Sequence, residues 1–161
     1  MDDPVNQLEQ LYREVGPALL AYFRRQPALA GAAEDLLQDT FMRALQRMDR
    51  LRASVSPRAY LYGIARHVGL DALRRRRPTE EVNEQTHLVV PDAVEDARLE
   101  PLRAAIAGLP APQRETLLLK LQHELSYEEI AEVLAIPVGT VRSRLHQAVL
   151  RLREIVRQTP S

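Results

Sequence analysis

Apolar residues recur at helical spacing over two stretches of the chain, separated by a segment without that pattern. The first stretch runs from Leu8 to about Arg77, and the second runs from Leu102 to about Arg157. The segment between them contains prolines and many acidic residues, which is typical of a linker. No part of the chain shows the apolar–polar alternation that indicates a strand. The pattern therefore predicts an all-α fold of two small helical domains joined by a flexible acidic linker.

Charge supports these boundaries, although the chain as a whole has no net charge. Residues 1–77 carry 13 basic and 9 acidic side chains, and residues 102–161 carry 8 and 6. Residues 78–101 carry 1 basic and 7 acidic side chains, so the linker separates two mildly basic domains. We expect at most a short helix in this linker, near residues 93–99. A neutral chain is also a poor candidate for a protein that coats DNA without help.

Composition excludes several classes of protein. The sequence contains no cysteine, which rules out disulfides, thiolate catalysis and cysteine-based zinc sites. No apolar run approaches the ~18 residues needed to span a bilayer, and the N-terminus lacks the features of a secretory signal. We therefore expect a soluble, cytoplasmic protein without membrane insertion.

A short helix and a turn are predicted at residues 126–137. Ser126 and Glu129 have the spacing of a capping box, in which each side chain accepts a hydrogen bond from the other residue's backbone N–H. The sequence Ala135-Ile136-Pro137 then ends this helix, because proline favours the first turn of a new one. The new helix is expected from about Val138 to Arg157.

This second helix has two different faces when it is projected at 100° per residue. Its apolar side consists of Val141, Leu145, Ala148, Val149, Leu152 and Val156. The opposite side presents Thr140, Ser143 and Gln147, flanked by Arg144, His146 and Arg151. A short helix, a tight turn and such a second helix form the helix-turn-helix layout, whose second helix enters the major groove of DNA. A plain helical hairpin would show the same periodicity, but the capping box, the proline and the arginines favour DNA binding.

The N-terminal domain contains a helix that opens at Glu34 and carries an acidic outward face. Its buried side is expected to consist of Leu37, Phe41, Ala44 and Met48. Its outward side consists of Asp35, Asp39, Met42 and Gln46, with Gln38 at the edge. Acidic side chains beside a methionine suit a basic helical partner, whereas a merely solvated face would show the same pattern.

A basic helix follows, with Ser56 as its N-cap and Pro57 at its first position. Its apolar stripe consists of Leu61, Ile64, Ala65, Val68 and Ala72. Its outward residues are Arg66, His67, Leu70, Arg74 and Arg77. Such a helix can follow phosphates or single-stranded DNA, although arginines at a helix C-terminus also complement the helix dipole.

Five sequence strings resemble one family, the extracytoplasmic-function sigma factors of bacterial RNA polymerase, which belong to the sigma-70 family. LPAPQRETLLLKL (109–121), LSYEEIAEVL (125–134) and IPVGTVRSRLH (136–146) resemble the family's C-terminal domain, which reads the minus-thirty-five promoter element. EDLLQDTF (34–41) resembles the motif that grips the clamp helices of the β′ subunit. The helix after Ser56 resembles the minus-ten region, with Tyr60 in place of tryptophan and His67 in place of asparagine.

The resemblance implies a partner for each surface. Core polymerase binding is implied for Asp35, Leu36, Gln38, Asp39 and Met42, with Phe41 packed inside. Minus-ten binding is implied for Tyr60, Arg66, His67, Arg74, Arg75 and Arg77, with residues 50–55 near a flipped base and Asp71 orienting a nearby arginine. Minus-thirty-five binding is implied for Thr140, Arg142, Ser143, Arg144, His146 and Arg151. The family often continues with Arg-Ala-Arg after the position of His146, whereas this chain has Gln-Ala-Val at 147–149.

The implied partners are RNA polymerase core, through its β′ clamp helices and β-flap, promoter DNA and an anti-sigma factor. No cofactor, metal or catalytic activity is expected, since the four histidines are scattered and no phosphate-binding or nucleophile motif is present. A stand-alone repressor or activator could use the same helix-turn-helix. A protein that binds only a helical partner through residues 35–46 is a second alternative.

Overall fold

The computed structural model describes residues 3–76 and 100–158, and every regular element within these ranges is helical. The N-terminal elements are α1 (Pro4–Arg24), a 3-10 turn (Ala30–Ala32), α2 (Ala33–Leu45), α3 (Met48–Ala53) and α4 (Pro57–Arg76). The C-terminal elements are α5 (Glu100–Ala107), α6 (Ala111–Leu121), α7 (Tyr127–Leu134) and α8 (Val138–Gln158). The predicted all-α class is confirmed. The helix expected near residues 93–99 and the candidate DNA-binding residue Arg77 lie outside the described residues.

The N-terminal domain is built around α4, which packs against α1, α2 and α3. Asp3 caps α1 by accepting a hydrogen bond from the backbone N–H of Val5 (3.1 Å). Ser56 caps α4 through the N–H of Ala59 (3.0 Å), and Pro57 is the first residue of that helix, as predicted. The largest enclosed side chains of this core are Leu19, Phe23, Leu51, Leu61 and Val68.

The C-terminal domain is built around α8, which packs against α5, α6 and α7. Leu125, Ile130 and Val141 are fully enclosed between these helices. The two domains also touch, because α4 packs against α7. None of the helices in residues 3–76 and 100–158 is long and apolar enough to cross a membrane.

Three apolar side chains lie where the helical projection did not place them. Leu70 was expected to point outward but is only 8% exposed, because α1, α2 and α7 all pack against α4 and leave it little free surface. Val149 and Val156 were expected on the buried side of α8 but are 39% and 55% exposed. The reason is length: α8 has 21 residues, whereas α5, α6 and α7 have 8, 11 and 8 and leave part of it uncovered.

Candidate functional site

The turn between α7 and α8 fixes the direction of α8. The predicted capping box is present: the N–H of Glu129 donates to Ser126 Oγ (3.1 Å), and the N–H of Ser126 donates to Glu129 Oε1 (2.9 Å). Ala135 ends α7 in the left-handed region, with φ 55°. The carbonyl of Pro137 accepts from the backbone N–H groups of Thr140 and Val141, so the proline lies just before α8 and not within its first turn, where the sequence placed it. Helix α7, the turn at residues 135–137 and helix α8 therefore form the helix-turn-helix that the sequence predicts.

The N-terminal half of α8 presents polar and basic groups away from the core. Val141, Leu145 and Ala148 are buried and anchor the helix. The candidate minus-thirty-five residues Arg142, Ser143, His146 and Arg151 are exposed, and Thr140 and Arg144 are half-buried. Guanidinium, hydroxyl and imidazole groups on one outward surface supply the donors that bind base edges and phosphates. Gln147 is also exposed, and its Oε1 accepts from Gln113 Nε2 (3.3 Å).

The candidate minus-ten residues divide between two faces of α4. Tyr60, His67 and Arg74 lie within about 40° of one another in projection, because seven residues make nearly two turns. His67, Arg74 and Arg75 are exposed, and Tyr60 is half-buried. Arg66 lies on a different face, which is turned towards the C-terminal domain.

Asp71 holds the arginines around this part of α4. Its Oδ2 accepts from Arg43 Nη1 (3.2 Å), and its Oδ1 lies 3.7 Å from Arg74 Nη1. This confirms the prediction that Asp71 is a partner for a nearby arginine.

The outward face of α2 is acidic and borders an apolar groove. Asp35, Gln38 and Met42 are exposed, whereas Asp39 is half-buried and accepts from Arg43 at 3.2 and 3.3 Å. Leu36 is only 6% exposed, so it supports this surface from beneath.

The groove lies between α1 and α2 and has a volume of about 730 Å³. Its apolar walls are formed by Val5, Leu8, Tyr12, Phe41, Met42 and Leu45. Phe41 is 9% exposed and packs edge-on against the ring of Tyr12, with centroids 5.0 Å apart, which confirms its predicted inward position. Sequence reasoning missed the contribution of α1, although Val5, Leu8 and Tyr12 follow the helical spacing that would have indicated it.

A polar domain interface joins α4 to the C-terminal domain. We use this name for Val55, Ser56, Arg58, Tyr62 and Arg66 on one side and Glu115, His123, Glu129 and Glu132 on the other. Residues 50–55, which were implied to lie near a flipped base, form the end of α3 and the following turn. There the N–H of Val55 donates to Glu132 Oε1 (3.2 Å).

Glu129 is the centre of the domain interface. Its carboxylate accepts from Arg58 Nε and Nη2 and from Ser56 Oγ, each at 2.6 Å, in addition to the N–H of Ser126. The hydrogen bonds from Arg58, joined by those from Ser126 and Ser56, outweigh the effect of burial and lower the pKa of Glu129 to about 2. The same carboxylate therefore completes the cap of α7 and binds the first turn of α4.

A second ion pair lies deeper in the domain interface. Arg66 Nε donates to Glu115 Oε1 (2.5 Å), and the two side chains are only 17% and 13% exposed. Beside them, the hydroxyl of Tyr62 and Nδ1 of His123 are hydrogen-bonded at 2.7 Å. Burial, with a contribution from Arg25, lowers the pKa of His123 to about 4. Sequence reasoning missed this interface because its partners lie 49 to 77 positions apart and share no periodic pattern.

Comparisons with known proteins identify both domains. The family model for sigma-70 region 2 matches residues 11–79, and the model for sigma-70 region 4 matches residues 99–152. RNA polymerase sigma factor YlaC of Bacillus subtilis is 33% identical over 92% of this chain and 91% of its own length. ECF RNA polymerase sigma factor SigC of Mycobacterium tuberculosis is 42% identical over 73% of this chain and 66% of its own length. The sigma factor RpoE of Bartonella quintana, solved with the anti-sigma factor NepR, matches 96% of this chain and 99% of its own, with a TM-score of 0.67 and 28% identity.

Proposed function

The chain belongs to the extracytoplasmic-function sigma factors of the sigma-70 family, which direct RNA polymerase core to specific promoters, and we propose how its two domains divide this work. The N-terminal domain binds core polymerase and reads and melts the minus-ten element. The C-terminal domain reads the minus-thirty-five element. The acidic linker connects the two inside the polymerase.

The observation that carries this proposal is the outward surface of α8. Arg142, Ser143 and His146 project from the N-terminal half of a helix whose opposite side is anchored in a core and whose start is fixed by a capped partner helix. This is the geometry with which a recognition helix enters the major groove. Arg144 and Thr140 flank the same surface, and Arg151 lies further along the helix, where it can reach a phosphate.

The minus-ten element binds the face of α4 that carries Tyr60, His67 and Arg74. An aromatic ring can stack on an unpaired base, and the cations Arg74 and Arg75 can bind the backbone of a separated strand. Arg66 and Arg77 are assigned to the same element through the family resemblance. Arg66 is engaged by Glu115 in this structure, so its contact with DNA requires that ion pair to be exchanged for a phosphate.

Core polymerase binds through the outward face of α2. The exposed Asp35, Gln38 and Met42, with Asp39 at the edge, offer an acidic and adaptable contact for the basic β′ clamp helices. The apolar groove beside them adds Phe41 and the α1 side chains to the same surface. The C-terminal domain in turn contacts the β-flap.

We further propose cytoplasmic location, regulation by an anti-sigma factor and no catalytic step in this chain itself. The sigma factor RpoE of Bartonella quintana was solved with the anti-sigma factor NepR, and its likeness to this chain supports the regulatory proposal. An anti-sigma factor would act by covering the outward face of α2 or the DNA-reading helices α4 and α8.

Run-off transcription of sheared genomic DNA by purified core polymerase, with and without this protein, tests the assignment. We expect new RNA 5′ ends that appear only with the protein and share two upstream elements at one fixed spacing. Tight binding of the protein alone to a palindromic site, without new start sites, would instead indicate a stand-alone regulator.

Two variants of α8 test the residue assignment. Arg142→Ala is expected to weaken minus-thirty-five binding by about 1–3 kcal/mol if this side chain reads a base. Arg153→Ala is the matched control, because Arg153 is exposed on the same side of α8 but three turns further from the N-terminus. Equal losses for the two variants, measured as promoter affinity of the holoenzyme, would contradict the assignment.

A further inference from the structure

Gln147 lies on the outward side of α8, among the candidate minus-thirty-five residues. It is exposed and follows Ser143 by four residues, so the two side chains project from the same face of the helix about one turn apart. Its exposed neighbour is His146. Gln147 is therefore part of the surface that is proposed to bind the minus-thirty-five element.

The start of α6 holds the side chain of Gln147 in one orientation. α6 packs against α8, and its third residue is Gln113. Nε2 of Gln113 donates to Oε1 of Gln147 at 3.3 Å. Because the oxygen of Gln147 is engaged in this way, its amino group, with two N–H donors, is the part of the amide that is left for a ligand.

The orientation of the Gln113 amide is itself restricted by burial. Gln113 is half-buried, and its Oε1 is enclosed and accepts no hydrogen bond from the described part of the chain. In the opposite orientation its amino group would be enclosed there, with two N–H donors in need of acceptors. Enclosing the oxygen is the smaller cost, because buried N–H groups without acceptors are rarer in folded proteins than buried oxygens without donors. Gln113 therefore presents a donor to Gln147.

We propose that Gln113 is a positioning residue, which makes Gln147 bind guanine in the minus-thirty-five element. This inference rests on the proposed function, because it concerns the DNA-reading surface of α8. In the major groove the edge of guanine carries two acceptors, N7 and O6, and no donor. Adenine and cytosine carry an amino group at this edge, and thymine has one acceptor beside a methyl group. A Gln147 side chain that offers only donors therefore favours guanine.

A glutamine whose amide has no partner in the protein has a different preference. It pairs with adenine, because it can donate to N7 and accept from the N6 amino group at the same time. That pairing requires the oxygen of Gln147, which is occupied by the N–H of Gln113. Residue 113 thus decides which base residue 147 binds, although it does not contact the base itself.

A promoter library with a randomised minus-thirty-five element tests the role of Gln147. The library is built on a start site found by run-off transcription, the full-length protein is combined with purified core polymerase, and the transcribed promoters are sequenced. We expect the parent protein to prefer guanine at one position, and Gln147→Ala to reduce that preference by roughly fivefold or more. The inference is overturned if Gln147→Ala changes no position, or if the position that it changes prefers another base in the parent protein.

Two substitutions of Gln113 distinguish positioning from a structural role. Gln113→Glu replaces the donor with a carboxylate, which accepts from the amino group of Gln147 and turns the oxygen of Gln147 outward. We expect the preference at the same position to change from guanine to adenine. Gln113→Lys keeps a donor for the oxygen of Gln147 and should keep the preference for guanine. Any other pair of results contradicts the proposal, since a merely structural role would make the two variants alike.

Gln158→Glu is the matched control for the added negative charge. It makes the same substitution at the exposed end of α8, about 16 Å along the helix from Gln147, and should retain the preference for guanine. Base preference is a ratio within one protein, so a uniform loss of DNA affinity does not alter it. Gln147→Arg offers donors whatever residue occupies position 113, so it cannot replace the Gln113 variants in this test.

The outcomes separate this inference from the proposed function. If the parent protein directs transcription and Gln113→Glu leaves its base preference unchanged, the positioning role is refuted and the sigma assignment remains. If the parent protein starts no transcription at any promoter, the sigma assignment fails, and the inference that rests on it fails as well.

Discussion

The two candidate DNA-reading helices, α4 and α8, are nearly equal in length but are held in very different ways. α8 has one buried face, formed by Val141, Leu145 and Ala148, and its polar residues extend outward. α4 is packed against both domains, and Arg58 and Arg66 are engaged by carboxylates of the C-terminal domain. The comparison shows that packing against a second domain decides which polar side chains of a helix stay exposed. The outward side of α8 is therefore exposed, whereas α4 also joins the two domains.

The largest expected effect tests this difference in packing. Leu61→Ala removes a fully buried side chain from α4 and should cost about 2–5 kcal/mol in the free energy of unfolding. Leu150→Ala, at a position of α8 that is 50% exposed, should change it by less than about 0.5 kcal/mol. Chemical denaturation of both variants measures the contrast. Similar losses would mean that α8 is as enclosed as α4.

Acid should loosen the hold of the C-terminal domain on α4. His123 faces Tyr22 and Tyr62, with Arg25 nearby and Glu115 lining the same pocket, and its pKa in the folded protein is about 4. In the unfolded chain its pKa returns to the usual value of about 6.5, so the unfolded state binds more protons. The contribution of His123 to the free energy of unfolding is therefore fully present above pH 6.5 and is lost as pH falls towards 4, by at most about 1.4 kcal/mol per pH unit.

The free energy of unfolding, measured by chemical denaturation between pH 7.5 and pH 5, checks this expectation. His123→Gln should remove most of the pH dependence in that range, because Glu129, with its pKa lowered to about 2, begins to contribute only below about pH 4.5. An unchanged pH dependence in His123→Gln would assign the effect to another group.

Substitutions of two serines, one in the cap of α7 and one on the outward side of α8, are expected to have smaller effects. Ser126→Ala removes the N-cap of α7 and should destabilise the C-terminal domain by about 1 kcal/mol. Ser143→Ala, on the outward side of α8, should leave stability unchanged and reduce only affinity for the minus-thirty-five element. Thermal unfolding should therefore show a loss of stability for Ser126→Ala alone. Promoter binding should show a loss of affinity for Ser143→Ala although its stability is unchanged.

The smallest expected effect concerns the departure of this chain from its family at residues 147–149. Gln147→Arg adds an exposed cation beside His146 and removes the amide that binds Gln113. One additional phosphate contact should raise promoter affinity several-fold and steepen its salt dependence by about one unit of the logarithmic slope. If the new arginine acted on the fold alone, the plot of log affinity against log salt concentration would shift without a change in its slope.

Local features of the fold could be predicted from the sequence, and contacts between distant segments could not. The capping box of Ser126 and Glu129, the start of α4 at Pro57 and the inward position of Phe41 each follow from neighbours within a few residues. The bond from Arg58 to Glu129 joins residues 71 positions apart, and no spacing rule relates them. Helical projection also treats every helix as having one buried side, which fails for Leu70 because several helices surround α4.

The same distinction applies to the candidate sites. The outward residues of α8 and the acidic face of α2 could be identified from periodicity together with family resemblance. The groove between α1 and α2 required knowing that these helices pack side by side. The engagement of Arg66 by Glu115 required the relative position of two domains, which no local pattern records.

The four hydrogen bonds that converge on the carboxylate of Glu129 have a consequence for how this sequence can change. A shorter aspartate would not reach both the cap and Arg58, and a glutamine would present only one acceptor oxygen to these four donors. In a saturation scan of the whole chain, position 129 should therefore tolerate fewer substitutions than its exposed neighbour Glu128. Any substitution accepted at position 129 should change both the stability of α7 and the contact between the two domains. A change at this residue therefore cannot adjust one of these properties without the other.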